Sequence, residues 1–301
     1  MTNNDPPTST PPPTTATDGR EIKYMDTIDA YDQWAEVYDT DGNFLQALDT
    51  LEMQSLLPKF FSLLNINIIC TTTGNNVGPK LIDLGCGTSR NTIPLIRAST
   101  PTATIVGLEP SRRMLQIARE KVSRYLTSAA TTTETADPST ATVAIKQQHA
   151  PSADEERVSF HLYNLLGYGS ASEAGVSSAI ENADGVMSTL VMEHVPLDKF
   201  FGAVAGMLKK SGVLLVTNMH SEMGSISQAG FVDPKTGLKI RPTSYAHTVA
   251  GVVGAAERAG FEVVGDIKEV RVDEELAGKL GRRASKWIGV RVWFGGCFKK
   301  K

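Results

Sequence analysis

The run Lys80-Leu81-Ile82-Asp83-Leu84-Gly85-Cys86-Gly87-Thr88-Ser89-Arg90-Asn91-Thr92 constrains this chain more than any other stretch. Its first half reads as a short buried strand, its two glycines as a tight turn, and the residues after them as the start of a helix. A unit of that kind presents backbone N–H groups and a helix N-terminus to a nucleoside-containing ligand. Gly85 and Gly87 can take backbone angles closed to other residues and let a ligand approach the main chain closely. The next apolar run, Thr104 to Glu109, ends on a carboxylate. An acidic residue about 20 positions after such a turn is placed to accept hydrogen bonds from ribose hydroxyls.

The turn separates two ligand classes. A dinucleotide fingerprint requires Gly-x-Gly-x-x-Gly, and here the last position is Arg90. Asp83, just before the first glycine, would repel a pyrophosphate but suits an ammonium and a sulfonium. Asp83-Leu84-Gly85-Cys86-Gly87-Thr88 with Glu109 downstream resembles motif I and its acidic partner in the class I S-adenosylmethionine-dependent methyltransferases. Ser89 stands where that family often has a third glycine. Serine is a good helix N-cap, which predicts that the turn survives.

The resemblance runs from about Ile28 to Phe298 and implies an α/β fold with a doubly wound, mostly parallel sheet of seven strands and an N-terminal helical lid. It implies S-adenosylmethionine as cofactor. Tyr31-Asp32-Gln33-Trp34-Ala35-Glu36-Val37-Tyr38-Asp39 is similar to the lid segment of small-molecule methyltransferases, where an aromatic hydroxyl reaches the cofactor. At helical spacing Tyr31 and Tyr38 could equally be core. Asn164, after the third strand, stands where the family often has Asp on the adenine amine; an amide can accept there and donate to the adjacent ring nitrogen. It could instead cap a turn. Leu165 could offer its backbone N–H. Ser188 to Pro196 looks like motif IV, with Leu190 at the cofactor and Glu193-His194 bordering the methyl-transfer site.

Composition sets the outer bounds. The chain has 301 residues, 41% hydrophobic, with a net charge of −3, so a sizeable core is expected and no nucleic-acid footprint. Cys70, Cys86 and Cys297 are scattered, odd in number and without metal spacing, which fits a reducing, cytoplasmic setting. No apolar run approaches the roughly 18 residues that span a bilayer. Residues 1–20 are rich in Thr and Pro and read as a disordered tail, without the apolar core of a signal peptide.

Residues 21–301 then read as one domain. Strand-like runs at Leu81–Leu84, Ile105–Leu108, Val158–Tyr163, Gly185–Leu190 and Val213–Thr217 alternate with helical stripes. Phe261–Val264 and Val290–Phe298 close the sheet, and the resemblance implies that the last strands pair antiparallel. The Thr-, Ala- and Ser-rich stretch 127–157 reads as a flexible insertion, and 221–247 as a loop or hairpin covering the substrate.

Ligands in such sheets sit beyond the carboxyl ends of the strands. There the sequence places Glu193, His194, His220 and His247 as candidate bases, each with an ordinary polar role as the alternative. No His, Asp or Glu group shows metal-ligand spacing. The reading is methyl transfer to a small molecule, at O or N, in natural-product metabolism. Rival readings are a protein or peptide methyltransferase, a nicotinamide oxidoreductase and a non-catalytic partner of the same fold. The acceptor itself and the oligomeric state stay open.

Overall fold

The computed structural model describes residues 19–64, 78–133, 157–167 and 176–301. A central sheet of seven strands has the order β4-β3-β2-β5-β6-β10-β9. Its strands are β2 (Lys80–Leu84), β3 (Thr104–Glu109), β4 (Val158–Leu162), β5 (Ala183–Thr189), β6 (Leu208–Met219), β9 (Phe261–Arg271) and β10 (Arg291–Lys300). The pairs among β2 to β6 are parallel, and β10 runs antiparallel to both β6 and β9.

The strands are apolar on both faces because both faces are covered. Leu81, Ile105, Met187 and Leu215 enter one core, with helices α2 (Phe44–Leu63) and α3 (Thr92–Ala98). Their neighbours Ile82, Val106, Val186 and Leu214 enter the other, with α6 (Leu197–Met207) and α8 (Val249–Arg258). This period-two split between two helical layers makes the sheet doubly wound.

β6 starts earlier than the sequence suggests. Lys209-Lys210-Ser211-Gly212, before the expected run Val213–Thr217, also belong to the strand, and the register of β5 against β6 shifts opposite them. Ser211 takes φ +64 there, which accommodates the irregularity. Helix α4 spans Arg112–Thr133, so the first residues of the expected insertion 127–157 are helical. Residues 134–156 lie outside the described residues, as do 1–18 of the expected tail and Cys70.

A smaller sheet caps the carboxyl edge. β1 (Ile22–Tyr24) pairs parallel with β8 (Lys239–Arg241), which pairs antiparallel with β7 (Phe231–Val232). The N-terminal segment and the 231–241 hairpin therefore form one unit. Ala30, Trp34 and Ala35, in and just after α1 (Thr27–Trp34), share a third apolar cluster with Met114, Phe231 and Ile240. Trp34 stacks on Phe231 with centroids 5.2 Å apart.

Candidate active site

The glycine turn is built around backbone donors. Gly85 and Cys86 N–H both donate to the Leu108 carbonyl, at 2.8 and 3.0 Å. Gly85 has φ +74, and a Cβ there would come within 2.3 Å of Val191 Cγ2, so no other residue fits. Glu109 faces the turn from β3. Its Oε2 accepts from Gly87 N–H at 3.0 Å and its Oε1 from Ser111 N–H at 2.9 Å. Burial nonetheless pushes its carboxyl up to about 7.

Ser89 differs from the expectation of an N-cap. It holds φ +69, in the left-handed region a glycine would favour, and the N-cap of α3 is Asn91. Asp83 also differs. It is 1% exposed, its Oδ2 accepts from Thr92 Oγ1 at 2.6 Å, and it lies behind the turn and off the cavity wall. A carboxylate in the interior direction of a strand reads the same in sequence as one at the strand's open end.

A cavity of about 310 Å³ opens at the carboxyl edge of β2, β3 and β5. Tyr31, Tyr38, Gly85, Gly87, Glu109, Asn164, Leu165 and Leu190 all line it, eight of the nine residues expected at the cofactor. A Cβ on Gly87 would meet nothing within 4 Å, which leaves the backbone open to a bound group. Asn164 Oδ1 caps a turn by accepting from Leu166 N–H at 2.9 Å, which leaves its second lone pair and the amide N–H groups for a ligand. Leu190 stands at φ +56, rare for a bulky residue and characteristic of positions where function holds the backbone.

A second cavity, of about 100 Å³, lies beyond Tyr31, Tyr38 and Leu190, which line both. Glu193 lines the second cavity and its neighbour His194 the first, so adjacent residues face different spaces. Glu193 is buried with Oε2 unpartnered, and burial raises its carboxyl to about 8. His194 Nδ1 lies 2.6 Å from the Thr243 carbonyl, which can only accept. The neutral ring is therefore the Nδ1–H form, and its Nε2 accepts from the Tyr31 hydroxyl at 2.8 Å. Burial lowers His194 to about 4 and holds the Tyr31 phenol well above its usual range, so both stay neutral near pH 7.

The other two histidines are placed elsewhere. His220 bonds Glu269 at 2.7 Å through Nε2 and caps α7 (Ser221–Ile226) by accepting from Glu222 N–H. His247 Nε2 donates to the Val195 carbonyl at 2.9 Å, and its ring stacks on Tyr245. Neither lines either of these two cavities. The reason is register: His220 turns toward β9, and His247 turns back under the loop before α6.

Sequence reasoning missed Asp49. This fully buried carboxylate of α2 accepts from Thr217 Oγ1 at 2.5 Å, Trp293 Nε1 at 2.9 Å and Asn91 Nδ2 at 3.1 Å, and pairs with Arg90 at 2.7 Å. It clamps α2 onto β6, β10 and the glycine turn. The available signal was an acid within the apolar stripe of Phe44 to Phe60. Among the described residues no group of three or more His, Cys, Asp or Glu side chains is arranged to hold a metal, and no helix is long and apolar enough to cross a membrane.

Residues 81–169 match the family model described as a methyltransferase domain. A curated protein of Emericella nidulans, named as an uncharacterized methyltransferase, is 47% identical over 288 residues, covering 92% of each chain. This chain belongs to the S-adenosylmethionine-dependent methyltransferases. Solved structures similar to the methyltransferase include magnesium protoporphyrin IX methyltransferase from Synechocystis with bound S-adenosylhomocysteine, at 14% identity, TM-score 0.48, and 91% and 94% coverage of the two chains. Another is geranyl diphosphate C-methyltransferase from Streptomyces coelicolor, at 12% identity, TM-score 0.49, and 81% and 74% coverage. The methyltransferase takes S-adenosylmethionine as its cofactor, not a nicotinamide dinucleotide. The first cavity fits that group: a glycine turn with open backbone, a carboxylate with spare lone pairs for ribose hydroxyls, and phenols and Leu190 at its far wall.

Proposed function

We propose that this methyltransferase acts on a small-molecule hydroxyl or amine held in the second cavity. The observation that carries the reading is the pair of cavities meeting at Tyr31, Tyr38 and Leu190, with Glu193 on the acceptor side. S-adenosylmethionine, when bound, supplies a methyl group already activated on a sulfonium. What is left to the protein is positioning, water exclusion and proton handling.

Each task has a residue. The cap of β1, α1 and the β7–β8 hairpin closes over the strand ends, which supports water exclusion. Leu190 and the two phenols set the boundary across which acceptor and methyl donor would face each other. Glu193 is the group placed to hold the acceptor's proton; a carboxyl raised to about 8 is a stronger base, once ionised, than an ordinary glutamate. His194 orients Tyr31 through Nε2 and is fixed by Thr243 through Nδ1. A cavity of about 100 Å³ beneath a cap suits a small molecule better than a protein side chain presented on a bulky surface. Two buried free thiols, Cys86 and Cys297, are consistent with a reducing cytoplasm, and the Thr- and Pro-rich N-terminal composition with enzymes of natural-product metabolism.

The test is incubation with S-adenosylmethionine labelled in its methyl group and a whole extract of Emericella nidulans, separated afterwards into metabolites and protein. Label in the metabolite fraction, reduced by Glu193→Gln, is expected. Label confined to protein overturns the small-molecule reading.

A further inference from the structure

The lining of the second cavity narrows the chemistry of the acceptor, an inference that rests on the small-molecule reading above. Among the described residues, seven buried side-chain nitrogen or oxygen atoms lack a hydrogen-bond partner. Four of them, Gln46 Nε2, Glu193 Oε2, Gln228 Oε1 and Trp287 Nε1, belong to residues lining this one cavity. Gln46, Glu193 and Trp287 are 8%, 3% and 3% exposed, so water does not readily satisfy them. Folded proteins keep such groups few, because each carries a desolvation penalty that only a partner removes. Their gathering around one space marks groups a ligand meets.

The cavity has two unlike ends. Glu193 stands at the inner end, its Oε1 3.5 Å from Nε2 of His194, which lines the cofactor cavity. Arg283 and Lys286 are exposed and form the outer end. Among the described residues neither makes an ion pair with a carboxylate: Arg283 donates to the Asp41 backbone carbonyl, and Lys286 lies 5.1 Å from the Trp287 ring centroid. The Asp41 carboxylate, also on the wall, is already used, accepting from Trp34 Nε1 and Asn43 N–H at 2.9 Å each. Against the two cations Arg283 and Lys286 the wall at this end sets one carboxylate, Asp41, so the outer end is net electropositive. Between the ends the walls are aromatic or thioether: Tyr31, Tyr38, Phe44, Met219 and Met223. About 100 Å³ is smaller than the roughly 150 Å³ of an engineered cavity that holds one benzene ring, so the space admits no more than one ring, with its substituent reaching the open mouth.

We propose that this cavity receives a single-ring hydroxylated organic acid, with its ring between the aromatic walls, its hydroxyl at Glu193 and its carboxylate toward Gln46, Trp287, Arg283 and Lys286. Charge selects the molecule at the mouth, and Glu193 selects a proton donor at the end where the methyl group would arrive. Phe44 and Trp287 stack on each other, with centroids 6.0 Å apart and planes at 24°, and so extend the aromatic wall against which a flat ring can lie.

Calorimetric titration of the full chain, saturated with S-adenosylhomocysteine, tests the proposal with three probes of one shape: 4-hydroxybenzoate, 4-hydroxybenzamide and 4-hydroxybenzamidine. The anion is expected to bind at least about tenfold more tightly than the neutral amide or the cation, as a charge-assisted site requires. The double variant Arg283→Glu, Lys286→Glu is expected to abolish that preference while binding S-adenosylhomocysteine as wild type does, since neither residue lines the cofactor cavity. Single Lys286→Met, which leaves the exposed surface nearly unchanged, is expected to reduce the preference in part. Equal or tighter binding of the amidine or the amide overturns the anionic class and leaves the small-molecule reading standing. Binding of none of the three, with normal S-adenosylhomocysteine binding, overturns the proposal, and label confined to protein in the extract experiment then removes the reading beneath it. An anion preference that survives charge reversal also overturns the proposal, because the mouth would not be its source.

Discussion

The Tyr31 hydroxyl donates to Nε2 of His194 across 163 residues of sequence, at 2.8 Å, and so fastens the N-terminal helix to the end of β5. His194 in turn donates from Nδ1 to Thr243, in the segment that leads out of the β7–β8 hairpin. One ring therefore joins both halves of the cap. Tyr31→Phe keeps the ring's bulk and packing on Trp34 but leaves Nε2 of a buried histidine without a donor. It is expected to cost about 1–3 kcal/mol of stability. It should also speed release of S-adenosylhomocysteine, measured by stopped-flow fluorescence, because the cap opens more often. An unchanged release rate in a folded variant would make Tyr31 a wall and not a latch.

Asp49 is the second fastening, and a stronger one. Removing its carboxylate takes the charge partner from the Arg90 guanidinium and strands the Trp293 indole N–H and the Thr217 hydroxyl together. Breaking a buried charged network by deleting one partner costs about 3–5 kcal/mol. Asp49→Ala is expected to lower the denaturation midpoint accordingly, with an unchanged denaturant slope. Asp49→Asn keeps an acceptor for the indole and should lose less. A loss under about 1 kcal/mol for the alanine variant would show that the network is dispensable.

Stability should fall as pH rises through neutrality in the ligand-free enzyme. Burial raises Asp83 from 3.8 to about 6, Glu109 from 4.5 to about 7 and Glu193 from 4.5 to about 8. The unfolded chain has ionised these groups by pH 5, while the folded chain still holds their protons. Their contribution is full below about pH 4 and is lost as pH passes through 6, 7 and 8. His194, lowered from 6.5 to about 4, acts in the opposite sense, but only below 6.5. Above that pH the acids act alone. One such proton gives a slope of ~1.4 kcal/mol per pH unit, or about 2–4 °C in Tm for a domain of this size. Thermal unfolding between pH 6.5 and 8.5 should show the decline, and Glu193→Gln should flatten its upper part. A Tm that rises over this range would contradict the burial of these acids.

Much of this architecture was legible because short-range chemistry carries it. Gly85, Gly87 and Glu109 lie within one strand–turn–strand unit, and the turn admits few alternatives. The paired faces of Leu81–Ile82 and Ile105–Val106 follow from a sheet covered on both sides. Asp83 lies off the cavity wall, bonded to Thr92, and strand alternation says which face a side chain takes, not whether the cavity reaches that depth. His220 and His247 were legible as neighbours of the carboxyl edge, but their partners Glu269 and the Val195 carbonyl come from distant segments. Asp49 and Thr243 were invisible for the same reason: their roles exist only after α2 and the hairpin have folded onto the sheet.

Ser89 offers the sharpest check on the turn. It sits at φ +69, its side chain is fully buried, and its hydroxyl has no hydrogen-bond partner. The left-handed conformation costs a residue with a Cβ about 1–2 kcal/mol, and the unpaired hydroxyl adds to that. Glycine removes both penalties, but it restores conformational freedom to the unfolded chain worth about 0.5–1 kcal/mol. The balance favours the replacement. Ser89→Gly is expected to stabilise the enzyme by about 0.5–1 kcal/mol, seen as a rise of a few degrees in Tm. Ser89 lines neither cavity, so the affinity for S-adenosylhomocysteine should stay within about twofold of wild type, a free-energy change smaller than most single contacts supply. A lower Tm would mean that the hydroxyl has a partner in solution and that the serine, not the backbone angle, is what this position requires.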